Sequence, residues 1–382
     1  MAALNDFAGN LRRLREAGSL SQGELAERAG LSRVGYRNLE SGESEPRTST
    51  VLVLARALQV DPTELLRPAP QLPRARFRSA KRVNEREQML VRVAGELEAY
   101  GQLEQVVNEA DGRFRPEACD PGEGDPIDRA ARAAALARET LGLRAGQAVG
   151  DICGLFETHG IKVLKLPVAT EGFFGLSVID PVWGPAIAVN VWDRITVERW
   201  IFTAAHELGH LILHRADFEP ERSDEVPDNE KEADLFAACF LMPAESFDEE
   251  WQQSAGLPPY DRVLKIKRIF RVSYRTVLYR LVERGYKDIW QIFLAEAKRR
   301  EGRPLLKTDE PAPMEPGEFQ AGVGADPAKR EPSQLSGFDF VADRKQRLVR
   351  KAVQDELISF GRGAEILGLS LAQMRQLSAS WI

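Results

Sequence analysis

Three of the four histidines in this chain fall within nine residues, HELGHLILH from His206 to His214. Around them Val197, Ile201, Ala204, Leu208 and Leu211 recur at three- and four-residue spacing, which predicts one long helix from about Thr196 to His214. Its apolar stripe must face a core, and His206 and His210 then share an adjoining face one turn apart. Just upstream, IKVLKL (161–166), FFGLSVI (173–179) and AIAVNV (186–191) are short apolar or alternating runs bounded by Gly and Pro, the pattern of strands. A helix over a small sheet, an α+β domain, is the expected frame for the histidines.

Two imidazoles on one helical row offer zinc two nitrogen ligands, and the metal needs at least one more protein ligand while one position stays open for water. An acidic loop from Asp217 to Asn229 leads into a second predicted helix, Glu230 to Leu241, stopped at Met242-Pro243. Its start offers Glu230, Glu232 and Asp234 as sources of the third ligand. Glu207 sits about 100° around the helix from His206. It should therefore face the water, where a carboxylate can take a proton during attack on a peptide carbonyl and pass it to the leaving amine. A third histidine at the metzincin spacing would fall on Ala216, which excludes that class. His214 lies a further turn along, about 6 Å from His210 on the axis. That makes it a poor third ligand, leaving helix-end packing or a hydrogen-bonding role. His159, before a glycine, and Cys239 on the second helix need only structural explanations. Tyr260, Tyr274 and Tyr279 are candidates for an oxyanion donor, with core packing the simpler use of each.

The N-terminal region has a different grammar. Short helices are expected near 4–16, 21–28, 32–40, 48–58 and 62–66, broken at Gly18, Gly30, Gly42 and Pro46, with Ser21 and Ser32 as N-caps. Leu25, Ala26, Leu31, Val34, Leu39, Leu52, Leu54, Ala55, Leu58 and Leu65 would form the core of this five-helix bundle. Gln22, Ser32, Arg33, Tyr36 and Arg37 would point outward near the start of the second helix of a helix-turn-helix, where base edges are reached. Charge agrees: residues 1–82 hold 14 Arg or Lys against 9 Asp or Glu, about +5, whereas the remainder is near −11. Only the basic unit is suited to a polyanion.

Between and beyond these units the chain divides at changes of composition. The basic stretch Pro68–Arg82 reads as a tether, and residues 84–110 as an amphipathic helix with Leu90, Val93, Leu97, Tyr100, Leu103 and Val107 on one face. A loop covers Asp111–Pro126, a helix Ala130–Leu141, and a further helical set runs over 259–285, with a turn near Val272-Ser273, and on to about Arg300. Residues 302–337, rich in Pro and Gly, should be a flexible linker. From Phe338 to Ile382 the pattern is helical again, and RGAEILGLSLAQMRQL repeats the Gly-apolar-Ser punctuation of a second helix-turn-helix. The expected domains are 1–67, 68–125 (linker plus helix), 126–300, 301–337 and 338–382. The expected fold is mainly α with a small β-sheet. Three widely spaced cysteines, no bilayer-length apolar run and no signal-peptide profile at the N-terminus fit a cytoplasmic protein with no membrane contact.

From Ser21 to Leu66 the sequence SQGELAERAGLSRVGYRNLESGESEPRTSTVLVLARALQVDPTELL resembles the lambda-repressor/Cro-like (XRE) helix-turn-helix family. The resemblance implies a homodimer on a double-stranded operator, Gln22 clamping phosphate or a base, Ser32 and Arg33 reading bases with Tyr36 and Arg37 in support, and Glu40 fixing the turn. The combination of HELGH and KEADLFAACFLMP, with RWIFTAA and EGFFGLSVID before it and VSYRTVLYRL after it, resembles the ImmA/IrrE zinc metallopeptidases over roughly 127–290. That likeness implies a zincin-like domain with His206, His210 and Glu232 as zinc ligands and Glu207 as general base. Glu230 or Asp234 takes the place of Glu232 if the helix register differs. The function implied is a DNA-binding regulator that cleaves a repressor or antitoxin-like protein in stress response or mobile-element control. A ligand-sensing transcription factor without peptidase activity, and the antitoxin of a toxin–antitoxin pair, are the alternatives. AIAVNV is the expected edge for an extended substrate.

Overall fold

The computed structural model describes residues 2–18, 20–66, 75–79, 86–109, 114–170, 172–218, 227–306, 309–312 and 335–381. The chain divides into two compact units, Met1–Leu72 with Asn84–Gly95, and Pro73–Val83 with Glu96–Ile382.

The first unit opens with five helices, α1 (Ala2–Ala17), α2 (Gln22–Arg28), α3 (Arg33–Glu40), α4 (Thr48–Leu58) and α5 (Pro62–Leu66). Ser21 caps α2 in a reciprocal box with Glu24, and the Ser32 hydroxyl accepts from the Gly35 amide at the start of α3. Between them Gly30 takes φ +67°, the left-handed turn that glycine adopts without strain. Phe7, Leu11, Leu25, Ala26, Tyr36, Leu39, Leu54 and Leu65 fill the core. Three expectations change here. Val34 and Leu52, placed in the core by spacing, are 62% and 44% exposed, and Tyr36, placed outside, is fully buried. On a helix as short as α3, a small rotation of the apolar stripe exchanges neighbouring positions between core and solvent.

The second unit is built around a four-stranded sheet of order β1-β3-β4-β2, formed by β1 (Ala75–Ser79), β2 (Lys162–Leu166), β3 (Phe173–Asp180) and β4 (Gly184–Asn190). β3 runs antiparallel to β1 and β4, and β2 parallel to β4. Two expectations are corrected by this order. The stretch expected to be only a tether contributes a strand, and AIAVNV, expected at an edge, lies in β4 between two partners. Strand pairing is non-local, so neither position is written in the local pattern.

The further helices among the described residues are, in chain order, α6 (Arg86–Val106), which spans the boundary of the two units, α7 (Pro126–Thr140), α8 (Ile152–Thr158), α9 (Val197–Leu213), α10 (Pro227–Leu241), α11 (Ala244–Gln253), α12 (Pro259–Phe270), α13 (Tyr274–Glu283) and α14 (Ile289–Glu301); α8 and α9 pack on the sheet. α9 packs on β3 and β4 with one face and on α10 and α7 with others, so it is buried along almost its whole length. The glycine of HELGH explains how α10 comes so close, for a Cβ on Gly209 would lie 2.9 Å from the Phe236 ring. α8 and α11 are additions to the expected elements, since neither segment carries a long periodic run. The linker expectation for 302–337 is revised at its ends, where Pro311 is buried and Leu335 packs on the core; residues 307–308 and 313–334 lie outside the described residues.

The C-terminal segment holds α15 (Arg344–Gln354), α16 (Phe360–Ile366) and α17 (Leu371–Ser378). The last two repeat the geometry of α2 and α3. Ser359 and Ser370 are the N-caps, Gly368 takes φ +64°, and the Leu369 amide reaches the Ala364 carbonyl at 2.8 Å, as Leu31 reaches Ala26 at 2.8 Å. Met374 is buried where Tyr36 is buried in the first copy.

Candidate functional site

α9 carries His206 and His210 on one row, both fully buried. From the first turn of α10, Glu230 reaches both: Oε2 lies 3.3 Å from His206 Nε2 and Oε1 lies 3.2 Å from His210 Nε2. The two Nε2 atoms are 2.8 Å apart. These three side chains, whose ligand atoms all lie within 4.8 Å of one another, form the group able to hold a metal among the described residues. Donors about 2.0–2.1 Å from a tetrahedral zinc are separated by about 3.3 Å; the two spacings to Glu230 match this, and the 2.8 Å between the imidazole nitrogens is shorter. Electrostatics agrees. Burial works against charge on Glu230, yet when the facing Nε2 atoms carry protons, hydrogen bonds and positive charge from His206 and His210 outweigh it and hold the carboxyl far below its usual range; a metal ion at the same place would substitute for those protons. A bound cation would satisfy that carboxylate while leaving both rings neutral.

The carboxylate that converges with the two histidines is thus Glu230, while Glu232, the residue expected as third ligand, stands apart from them. Glu232 lies about 200° around α10 from Glu230 and faces elsewhere. Its Oε2 is 3.0 Å from His214 Nε2 and its Oε1 is 3.4 Å from Arg129 on α7. Asp234, four residues after Glu230, sets its Oδ1 2.8 Å from His206 Nδ1.

These outer contacts fix the tautomers. A carboxylate only accepts, so His206 Nδ1 donates to Asp234, which leaves the Nε2 lone pair aimed at the triad. By the same rule His214 Nε2 donates to Glu232, and its Nδ1 must then accept. His210 Nδ1, 2.9 Å away, supplies that proton, again leaving its Nε2 lone pair directed inward. His214, which the sequence left between packing and hydrogen bonding, thus links Glu232 to His210.

Glu207 lies between the two histidines in sequence and is fully buried. Two β3 residues hold it. Ser177 Oγ donates to Glu207 Oε2 at 2.8 Å, and a Cβ on Gly175 would stand 3.1 Å from Oε1 and 2.6 Å from Thr203 Cγ2, so only glycine lets the strand pass so close. Neither residue was singled out from the sequence, although Gly175 and Ser177 alternate on one face of FFGLSVI, the one small-polar pair in an apolar strand. Of the tyrosines considered as oxyanion donors, Tyr260 and Tyr274 stack on Phe293 in the core, and Tyr279 is exposed beside Trp290. His159 ends α8 with Nδ1 2.8 Å from the Leu155 carbonyl, a structural contact. Cys239 is partly buried against the core.

In the first unit Ser32, Arg33 and Arg37 are exposed at and within α3. Gln22 also reaches the surface, but its amide donates to Glu40 Oε1 at 2.8 Å. Tyr36 does not point outward; its hydroxyl donates to Glu40 Oε2 at 2.5 Å inside the bundle. Glu40 also receives two hydrogen bonds from Arg15, both 2.8 Å. Although burial opposes its charge, the bonds from Arg15, Tyr36 and Gln22 hold the Glu40 carboxyl below its ordinary value. This buried carboxylate ties α1, α2 and α3 together, a larger task than the turn-fixing role expected of it.

Comparison with known proteins falls on these two regions. Residues 11–65 match the helix-turn-helix family, and residues 156–282 match the IrrE N-terminal-like domain of the M78 peptidases. No curated protein matches the chain. No helix among the described residues is long and apolar enough to cross a membrane. The chain thus joins an XRE-type helix-turn-helix DNA-binding domain to an IrrE/ImmA-like domain of the M78 peptidase family.

Proposed function

We propose that this protein is a transcriptional regulator that binds operator DNA through α3 and hydrolyses a regulatory protein at a zinc centre held by His206, His210 and Glu230. The observation that carries the reading is the convergence of two tautomer-fixed imidazoles and one carboxylate beside a buried, oriented Glu207. M78 proteins are zinc metallopeptidases, and the donor set fits that ion. When bound, zinc supplies Lewis acidity to water and to the scissile carbonyl. Glu207 takes the proton of the attacking water and returns it to the departing amine. Ser177 orients that carboxylate, and the packed faces of α9 and β3 bury it. On the DNA side Ser32, Arg33 and Arg37 face the duplex, and two copies of the chain would occupy half-sites one helical turn apart. The substrate is read as a repressor or antitoxin-like protein in stress response or mobile-element control, in the cytoplasm.

The test compares cells expressing the unaltered chain with cells expressing Glu207→Gln, by mapping new protein N-termini across the proteome. One regulatory protein cut only with Glu207 present supports the proposal. Identical N-termini in both, with zinc bound stoichiometrically, would move the zinc domain to ligand sensing.

A further inference from the structure

Whatever peptide Glu207 acts on must lie extended near β3, because β3 is the strand that touches it, through Ser177 and Gly175. An extended chain is held most simply by adding to a strand with an unpaired ladder edge. β4 has no such edge, being paired with β3 and β2. β3 has one, and Ala75–Ser79 occupies it. The register places Arg76 opposite Ser177 and Arg78 opposite Gly175, so the occupant runs antiparallel past the two positions that hold Glu207. The ladder then becomes irregular between Arg78 and Ser79. The occupant is short, five residues, and its register is irregular at one end.

We propose that the outer edge of β3 is the peptide-binding edge of the site and that Ala75–Ser79 is its internal occupant, standing where a substrate strand must pair. The ligand class is an extended polypeptide of about five residues, free of proline and acidic side chains and mixing basic with apolar residues as ARFRS does. A tethered occupant competes at an effective concentration of about millimolar, so a substrate in trans gains the edge only when the strand is released. Cleavage of the paired strand rests on the peptidase reading of the site; pairing itself is a matter of binding.

The experiment uses the full chain carrying Glu207→Gln, with and without Arg76→Pro/Phe77→Pro, which removes ladder donors in either register. Hydrogen exchange of the β3 amides over 173–178 should quicken at least tenfold in the proline variant. A fluorescein-labelled peptide of residues 73–81, PRARFRSAK, should bind it at least tenfold more tightly than it binds the chain with the unaltered linker. Unchanged β3 exchange, or equal peptide affinity in both proteins, overturns the proposal. If the proline variant loses zinc or its near-ultraviolet circular dichroism, replacing 75–79 by alternating glycine and serine serves instead. Exchange of the 75–79 amides as fast as in the free peptide, in the unaltered linker, also overturns it. Peptide binding and amide exchange as expected, together with no hydrolysis by the chain that retains Glu207, would sink the peptidase reading and leave the binding edge standing.

Discussion

His214, just past the end of α9, and Glu232, eighteen residues on in α10, meet at 3.0 Å and so fix the orientation of His210. Removing a metal ligand and removing its orienting partner have different costs. Glu230→Gln should lower zinc affinity by at least about a hundredfold, while Glu232→Gln or His214→Phe should lower it by about 10–100-fold, the usual range for outer partners. Competition with a chromophoric chelator reads both. A greater loss from Glu232→Gln than from Glu230→Gln would restore Glu232 as the ligand.

Ser177 and Glu207 form the second testable pair. Ser177→Ala removes the donor to Glu207 Oε2 and should reduce kcat about tenfold with zinc content unchanged, since only the orientation of the carboxylate is lost. Glu207→Gln should abolish hydrolysis and likewise keep the metal. A Ser177→Ala enzyme with an unaltered kcat and pH profile would show that the hydrogen bond does no positioning.

Tyr36 and Glu40 make a prediction about DNA. Tyr36→Phe deletes a buried hydrogen bond to a carboxylate and should cost the first unit about 1.5–3 kcal/mol in thermal or urea unfolding. Operator preference should be unchanged once the protein is folded. Arg33→Ala should do the reverse, weakening binding with stability intact, as fluorescence anisotropy on a duplex would read. Altered base preference in Tyr36→Phe would put Tyr36 back among the readers.

Two buried carboxyls predict how stability depends on pH. Burial raises the pKa of Glu157 to about 7, and burial likewise raises that of Glu310 to about 7, each from 4.5. The folded state therefore keeps protons that the unfolded chain releases between those values, so these groups favour folding at low pH and stability falls as pH rises from 4.5 toward about 7. Glu157→Gln, which holds the neutral form, should flatten part of that decline and raise Tm at about pH 8. A Tm profile as steep as in the unaltered chain would show that Glu157 does not titrate in this window.

Gly209→Ala tests the packing that brings α10 to α9. The added methyl meets Phe236 and should cost about 1–3 kcal/mol, with weakened zinc binding because Glu230 moves with the helix. Unchanged stability would mean that Phe236 has room to turn.

What the sequence determined by itself lies within one or two helical turns. The caps at Ser21 and Ser32, the turn at Gly30, the row of His206 and His210, and the apolar stripe of α9 depend on local spacing and on intrinsic backbone preference, both present in the linear chain. Of three neighbouring acids, Glu230, Glu232 and Asp234, the sequence supplied the set, and the tertiary structure brings Glu230 up to both histidines. The choice depends on how α10 is rotated and how closely it approaches α9, which the Gly209–Phe236 contact governs. Tyr36 likewise turned inward because Glu40 and Arg15 complete a buried polar cluster that no window on α3 alone contains. The pairing of Ala75–Ser79 with β3 joins segments about a hundred residues apart, and such pairing is decided by the free edge the folded sheet offers, not by the strand's own sequence.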